Sequence, residues 1–389
     1  MSNALQFPDG LTPERFLREF WQRRPLLLRA ALPGFRSFLS GEELAGLACE
    51  PGVEARLVLE RGTRPWEVRH GPFVESDFAA LPASHWTLLV QDVDKLVPEV
   101  ADLLDAFGFL PDWRLDDIMI SYAEDQGSVG PHTDGYDVFL VQAEGRRRWR
   151  IDPNPVSEAL CVPGLDLRIL ESFEPREQWT LDPGDVLYLP PGVPHWGIAE
   201  GPCMTWSVGM RSPDWRELAT AWYDRLVSER LTSGRYRDPD PRPSLHRGEI
   251  PALVASGVRR HIETALSGAD DDAFAAWLGA HLTEPKENLE PVPRGDPLES
   301  PAFRRALARR GRLLRGPSRL LFTRARSGEV LLFAAGETYR LSARYLAFAD
   351  LITARRTLTL AQLQPWLDDS DCLDLLATLY NQGHYELPD

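Results

Sequence analysis

Lysine is almost missing from this 389-residue sequence: Lys95 and Lys286 are the only two, and arginine supplies nearly all the positive charge. That bias is compositional and carries no function by itself. Cysteine is scarce as well. Cys49, Cys161, Cys203 and Cys372 lie far apart and form no CxxC pair, so neither a disulfide framework nor a zinc ribbon is expected, and a reducing cytoplasm fits best. No window approaches the roughly 18 consecutive apolar residues of a membrane span. The opening MSNALQFPDGLTPE lacks the basic-then-apolar layout of a secretion signal. Internal repeats are absent too. Net positive charge is also missing: the balance is −15, which argues against general coating of nucleic acid. What remains is ordinary. Hydrophobic residues make up 43 % and charged ones 26 %, the mix of a soluble globular protein, and the length predicts two or three domains.

The charge is unevenly placed. Residues 1–210 hold 18 Lys+Arg against 33 Asp+Glu, whereas residues 211–389 hold 25 of each. Within the second half, 301–360 carries 13 arginines and only Glu329, Glu337 and Asp350 as acids. The front half reads as mostly β with a helical preface. TPERFLREFW (12–21) opens with a threonine cap and a proline at the first helical position. Short β-rich runs follow at 55–60, 85–92, 117–123, 137–142, 146–151, 185–190 and 203–210, separated by glycine, proline and acidic turns. That pattern predicts a sandwich or jelly roll. After RSPDW (211–215) helices are predicted over 217–231, 252–266 and 272–283, with a Pro/Arg-rich connector at 235–248 and a linker at 284–297. From 300 onward the order is helix, strand pair, helix, helix, as in a winged helix.

Chemistry concentrates in two segments. In PHTDGYD (131–137), His132 and Asp134 are two apart, so an extended backbone presents both to one side. In GDVLYLPPGVPHWG (184–197), a strand ends at a rigid Pro190-Pro191-Gly192 turn and His195 opens the next. Two histidines and a carboxylate with open positions are the ligand set of non-haem Fe(II) oxygenases. His70, His85, His246, His261, His281 and His384 lack such partners and read as surface or packed residues. A third clue is RRRWRI (146–151). As a strand it places Arg147, Trp149 and Ile151 on one face and Arg146, Arg148 and Arg150 on the other, solvated one. An inward Arg147 needs an anion. Either an acid of the same barrel or the carboxylate of a dicarboxylate cosubstrate supplies it.

Together, HTDGYDVFLVQAEGRRRWRI and GDVLYLPPGVPHWG resemble the JmjC-type, cupin-like 2-oxoglutarate oxygenases, and more narrowly the ribosomal oxygenases. The likeness extends over essentially the whole chain. It implies an α+β protein: a double-stranded β-helix (jelly roll) over 1–212, a helical dimerisation region over 213–290 and a winged-helix domain over 298–389. It implies that His132, Asp134 and His195 bind Fe(2+), and that Arg147 takes the distal carboxylate of 2-oxoglutarate. Eukaryotic relatives place lysine there, and the bacterial arginine hydroxylases arginine. Ser121 and Ser207 match strands that face the cosubstrate in the family. Thr205, Ser207 and Gly209 would share a small-residue face. Tyr136 and Asp137, just past the ligands, are candidates for contact with the substrate, with a turn role as the alternative.

The activity implied is that of an Fe(II)- and 2-oxoglutarate-dependent dioxygenase. It uses O2 to hydroxylate the β-carbon of an arginine in a basic ribosomal protein of the large subunit, with succinate and CO2 as co-products. A homodimer is implied as well. Contact with nucleic acid is expected only through the ribosome, and no membrane is involved. Three rivals use the same features: a JmjC demethylase, a small-molecule cupin enzyme such as an isomerase, and a winged-helix regulator with a metal-sensing cupin. An acidic surface around the pocket would steer a basic substrate.

Overall fold

The computed structural model describes residues 4–60, 66–156, 161–165, 167–211, 213–231, 250, 252–267 and 270–388. The connector expected at 235–248, with His246, lies outside the described residues. No helix among them is long and apolar enough to cross a membrane.

One sheet dominates the front half. Its strands are β1 (Leu26–Leu28), β2 (Ala55–Glu60), β3 (Trp66–His70), β4 (Trp86–Val90), β5 (Leu115–Ala123), β6 (Val138–Ile151), β7 (Glu177–Leu181), β8 (Val186–Leu189) and β9 (His195–Met210). They run in the order β1-β8-β6-β9-β5-β4-β2-β3, with β7 added on β6. β6 and β9 are antiparallel partners along nearly their whole length and belong to both layers of the roll. Val138–Gln142 pairs with Gly209–Thr205 and, beyond a pair of irregularities, Arg146–Ile151 pairs with Glu200–His195. The first stretch is flanked by β8 and β5, and the second by β7. The bend between them needs Gly145, at φ 58, because a Cβ there would sit 2.1 Å from the Pro202 carbonyl oxygen. The two runs read separately in the sequence at 137–142 and 146–151 are therefore one strand folded over a corner. This antiparallel order forms the jelly roll expected from the sequence.

The preface helix Pro13–Glu19 forms where its cap predicts: Thr12 Oγ1 accepts the Arg15 N–H at 3.2 Å. Its Phe16 is fully buried and meets Tyr188 of β8 edge-on, with ring centroids 4.9 Å apart. Phe107, Phe139 and Trp21 complete this apolar layer behind the sheet. The other face of the sheet lines the roll. There Val138, Leu140, Trp149, Ile151 and Leu189 close one end, and Val58, Leu89 and Ile169 with Met119 close the other.

The chain forms two compact units that are not consecutive in sequence. The first comprises 1–212, 285–319 and 351–389, and the second 213–284 and 320–350. In the first, the sheet of β10 (Arg312–Arg315), β14 (Thr357–Thr359) and β15 (Tyr385–Glu386) accompanies helices Ser300–Arg310 and Ser370–Asn381. In the second, helices Trp215–Arg230, Ala252–Leu266 and Asp271–Thr283 accompany the meander β11 (Leu320–Arg324), β12 (Val330–Ala334) and β13 (Glu337–Leu341). Much of the arginine block is spent on structure. The buried Arg315 donates to the carbonyls of Ile352, Thr353 and Arg355. Arg304 pairs with Asp368, Arg326 with Asp271, and Arg340 with Glu329.

Candidate active site

His132 and His195 are brought together by a two-residue antiparallel bridge. The His132 N–H donates to the His195 carbonyl at 3.0 Å, and the His195 N–H returns the bond at 2.9 Å. Asp134 is fixed by its own carbonyl, which accepts the Gly192 N–H at 2.8 Å from the PPG turn. The two motifs thus splice into one loop pair. Each imidazole is oriented by its other nitrogen: Nδ1 of His132 lies 2.9 Å from the Gly130 carbonyl and Nδ1 of His195 lies 2.9 Å from that of Val193. A carbonyl only accepts, so both Nδ1 atoms carry a proton, and the Nε2 atoms are the ones left to face a metal. His195 Nε2 is 3.5 Å from Asp134 Oδ2, and one ligand atom from each of the three residues falls within 4.8 Å of the others. Burial pushes the His195 imidazole down to about 4, with His132 adding to the effect and Asp134 opposing it. Two imidazoles facing one carboxylate are a donor set that a hard-to-borderline divalent cation takes.

Deeper in the roll, Arg147 is 6 % exposed and lies opposite Ala199 of β9 and Leu181 of β7. Trp149 and Ile151 are buried beside it. Arg146 and Arg148 point outward to Glu200, and Arg150 lies over Trp196. The alternation expected of this strand is what the structure has. Nη1 of Arg147 donates to Ser121 Oγ at 3.4 Å, and that hydroxyl donates to the Thr205 carbonyl at 3.4 Å. Nε and Nη2 are buried without a partner. Among the described residues, no acid of the barrel pairs with this guanidinium. A buried guanidinium with two unpaired nitrogens on the inner face of the roll fits the far carboxylate of a small dicarboxylate. Ser207, 7 % exposed, sits on β9 between Met119 and Leu140, on the same face as Thr205.

The two residues past the ligands part company. Tyr136 is 42 % exposed, and its hydroxyl is pushed up by the charge of Asp134, then by burial and the charge of Asp117. Asp137 is fully buried and leaves the site altogether. It accepts from Tyr188 Oη at 2.5 Å, Gln22 Nε2 at 3.1 Å and Arg114 Nη2 at 2.9 Å. Its carboxylate ties the start of β6 to the preface helix and faces no open space.

One acid was missed by the sequence reading. β5 carries an extra residue at Asp116, between the pairs Leu115–Met210 and Asp117–Gly209. From Asp117 on, alternation puts Asp117, Met119 and Ser121 on the inner face, while Ile118 and Ile120 enter the outer core. The Asp117 carboxylate lies over Gly209, where a Cβ would come within 2.8 Å of its Oδ1. Burial pushes this carboxyl up to about 7. The signal was available: Ser121, already singled out, shares its face with Asp117 by simple alternation.

The comparisons with known proteins agree with this geometry. Family models match residues 102–218 as a JmjC domain and residues 261–386 as a ROXA-like winged helix. The ribosomal protein uL16 3-hydroxylase of Escherichia coli is 35 % identical over 383 residues, 98 % of either chain. A probable ribosomal oxygenase of Haemophilus influenzae is 41 % identical over 208 residues, 53 % of this chain and 51 % of that one. Among solved structures, the Escherichia coli ribosomal oxygenase YcfD in complex with cobalt and 2-oxoglutarate superposes with a TM-score of 0.79 at 33 % identity, covering 98 % of this chain and 99 % of that one. Another structure of YcfD gives a TM-score of 0.82 at 34 % identity, over 98 % and 99 % of the two chains. With matched models at both ends, a full-length relative and this centre inside the roll, the chain belongs to the JmjC-type ribosomal oxygenases.

Proposed function

We propose that this chain is an Fe(II)- and 2-oxoglutarate-dependent oxygenase that hydroxylates the β-carbon of an arginine in ribosomal protein uL16. The unpaired, buried Arg147 beside the His132–Asp134–His195 cluster carries the reading. When bound, iron supplies the dioxygen chemistry by which decarboxylation of 2-oxoglutarate to succinate drives insertion of oxygen into an unactivated C–H bond. The chain's own part is placement. His132, Asp134 and His195 hold the metal on one side and leave the other open. Arg147, steadied by Ser121, anchors the far carboxylate of the cosubstrate, and Ser207 and Thr205 keep that channel narrow and polar. Asp117 and Tyr136 receive the substrate: a guanidinium inserted over Gly209 pairs with the Asp117 carboxylate, and the exposed ring of Tyr136 borders the entrance. Holding the target carbon in reach while excluding water is the chief contribution such a scaffold makes.

Purified protein given Fe(II), ascorbate, 2-oxoglutarate and uL16 is expected to add one oxygen to uL16 and release one succinate per oxygen added. Release of formaldehyde from an N-methylated peptide, with no oxygen retained, would turn the assignment to a demethylase. Action on a ribosomal protein supports a cytoplasmic location for this chain.

We also propose a homodimer through the second unit. Leu253, Val258 and Ile262 on helix Ala252–Leu266 and Tyr223 and Val227 on helix Trp215–Arg230 are apolar yet exposed, more than a monomer normally leaves bare. Sedimentation is expected to give twice the chain mass, and Val258→Asp with Ile262→Asp to give the single mass. A monomeric parent chain would remove this reading.

A further inference from the structure

The two lysines of the sequence converge on the same place. Lys95 Nζ pairs with Asp94 and donates to the Asp116 carbonyl at 3.0 Å, while Asp94 Oδ1 accepts the Ile118 N–H at 2.8 Å. Lys286, from the segment after the helical region, reaches Asp92 Oδ1 at 2.8 Å and Asp116 Oδ2 at 3.6 Å. Arg319 donates to the Leu115 carbonyl at 2.7 Å and lies 3.5 Å from Asp116 Oδ1. The irregularity in β5 that turns Asp117 inward is thus clamped by cations, two of them from the C-terminal part of the first unit. Asp117 Oδ2 also accepts the Asp92 N–H at 3.4 Å, so Lys286 and Asp117 share Asp92 as a neighbour.

We propose that Lys286 is a positioning residue for the substrate arginine: bound to Asp92 and Asp116 behind the β5 irregularity, it supplies the positive charge that keeps the Asp117 carboxylate ionised and directed into the roll. Three acids (Asp92, Asp94 and Asp116) surround Asp117 and oppose its ionisation, and Lys286 is the largest favourable charge acting on it. The charge of Asp117 also acts on the Tyr136 hydroxyl, where that of Arg56 opposes it. Burial pulls Lys286 down, yet Asp117, Asp116 and Asp92 together hold it above the ordinary lysine value. The C-terminal region therefore takes part in substrate recognition without touching substrate.

This inference rests on Asp117 receiving the guanidinium, and the test separates the two. kcat/KM for uL16 reports groups of the free enzyme. In the parent its acid limb is expected near pH 7, where Asp117 gains its charge. Lys286→Met removes the compensating cation, so the limb is expected to move up by about one pH unit, a tenfold loss of kcat/KM on the acid side. Lys286→Arg is expected to restore it. The KM for 2-oxoglutarate stays unchanged throughout, because Arg147 is untouched. Binding of unmodified uL16 to the Fe(II)-loaded protein without 2-oxoglutarate, followed by calorimetry across the same pH range, is expected to shift in parallel. Asp117→Asn is run alongside. If it leaves the uL16 KM unchanged, the Asp117 reading falls and takes this inference with it. If it raises that KM while Lys286→Met leaves the limb in place, Lys286 is a surface ion pair only and this inference alone is overturned.

Discussion

A chain carrying Asp134→Ala is expected to release no succinate above background and to lose at least a hundredfold in affinity for Fe(II), Mn(II) or Co(II). Asp134 supplies the only negative charge among the three donors; without it, two neutral imidazoles face a dication with nothing to offset its desolvation. Loss of fold is not the cause to expect. The aspartate backbone, which carries the bond to Gly192, survives the substitution, and among the described residues the close ionic partner of its side chain is His195 at 3.5 Å. The thermal midpoint of the metal-free variant should therefore match that of the parent. Calorimetric titration with Mn(II) checks the binding, and unchanged affinity would move the metal away from this cluster. His132→Ala is expected to behave alike, with its backbone bridge to His195 retained.

The second large effect belongs to Arg147. Its Nε and Nη2 are buried and unpaired, so the ligand-free protein already bears an uncompensated charge at that point. Arg147→Met replaces it with a chain of similar reach and no charge. Two opposite outcomes are expected. The ligand-free variant melts higher than the parent, because a hydrophobic replacement relieves a buried ion. The KM for 2-oxoglutarate rises by roughly two to three orders of magnitude, the equivalent of about 3–5 kcal/mol for losing one partner of a buried charged pair. Arg147→Lys should fall between them, since an ammonium keeps the charge but not the planar fork. A variant with unchanged KM would assign the far carboxylate to another residue. The combination of higher stability and weaker cosubstrate binding is the signature, because a purely structural arginine would lose stability when removed.

The ligand motifs were legible because each depends on local rules. An i, i+2 pair on extended chain presents His132 and Asp134 together. A PPG turn forces the chain around before His195, and alternation turns Arg147 inward while Arg146, Arg148 and Arg150 stay out. The strands of the front half were legible for the same reason. Two features were not. The AEG stretch (143–145) reads as a break between short strands, yet Gln142–Arg146 carries a single strand around a corner of the roll, which only closure of the barrel requires. Asp137, next to the ligands in sequence, reads as a site residue. The start of β6 instead rotates it into the wall, where Tyr188, Gln22 and Arg114 meet it.

The sequence by itself determined which groups come forward as candidates for the chemistry: two imidazoles, one carboxylate and one inward arginine, each presented by a backbone rule that reaches a few residues. Tertiary structure decided how those groups are charged and what they lack. That Arg147 has no acid partner among the described residues of its barrel emerges only when the neighbouring strands are in place. That the scarce Lys286 stands behind Asp117 depends on the chain returning to β5 after the helical region. Charge compensation inside a protein acts through distance and solvent exclusion, and neither is written along the chain.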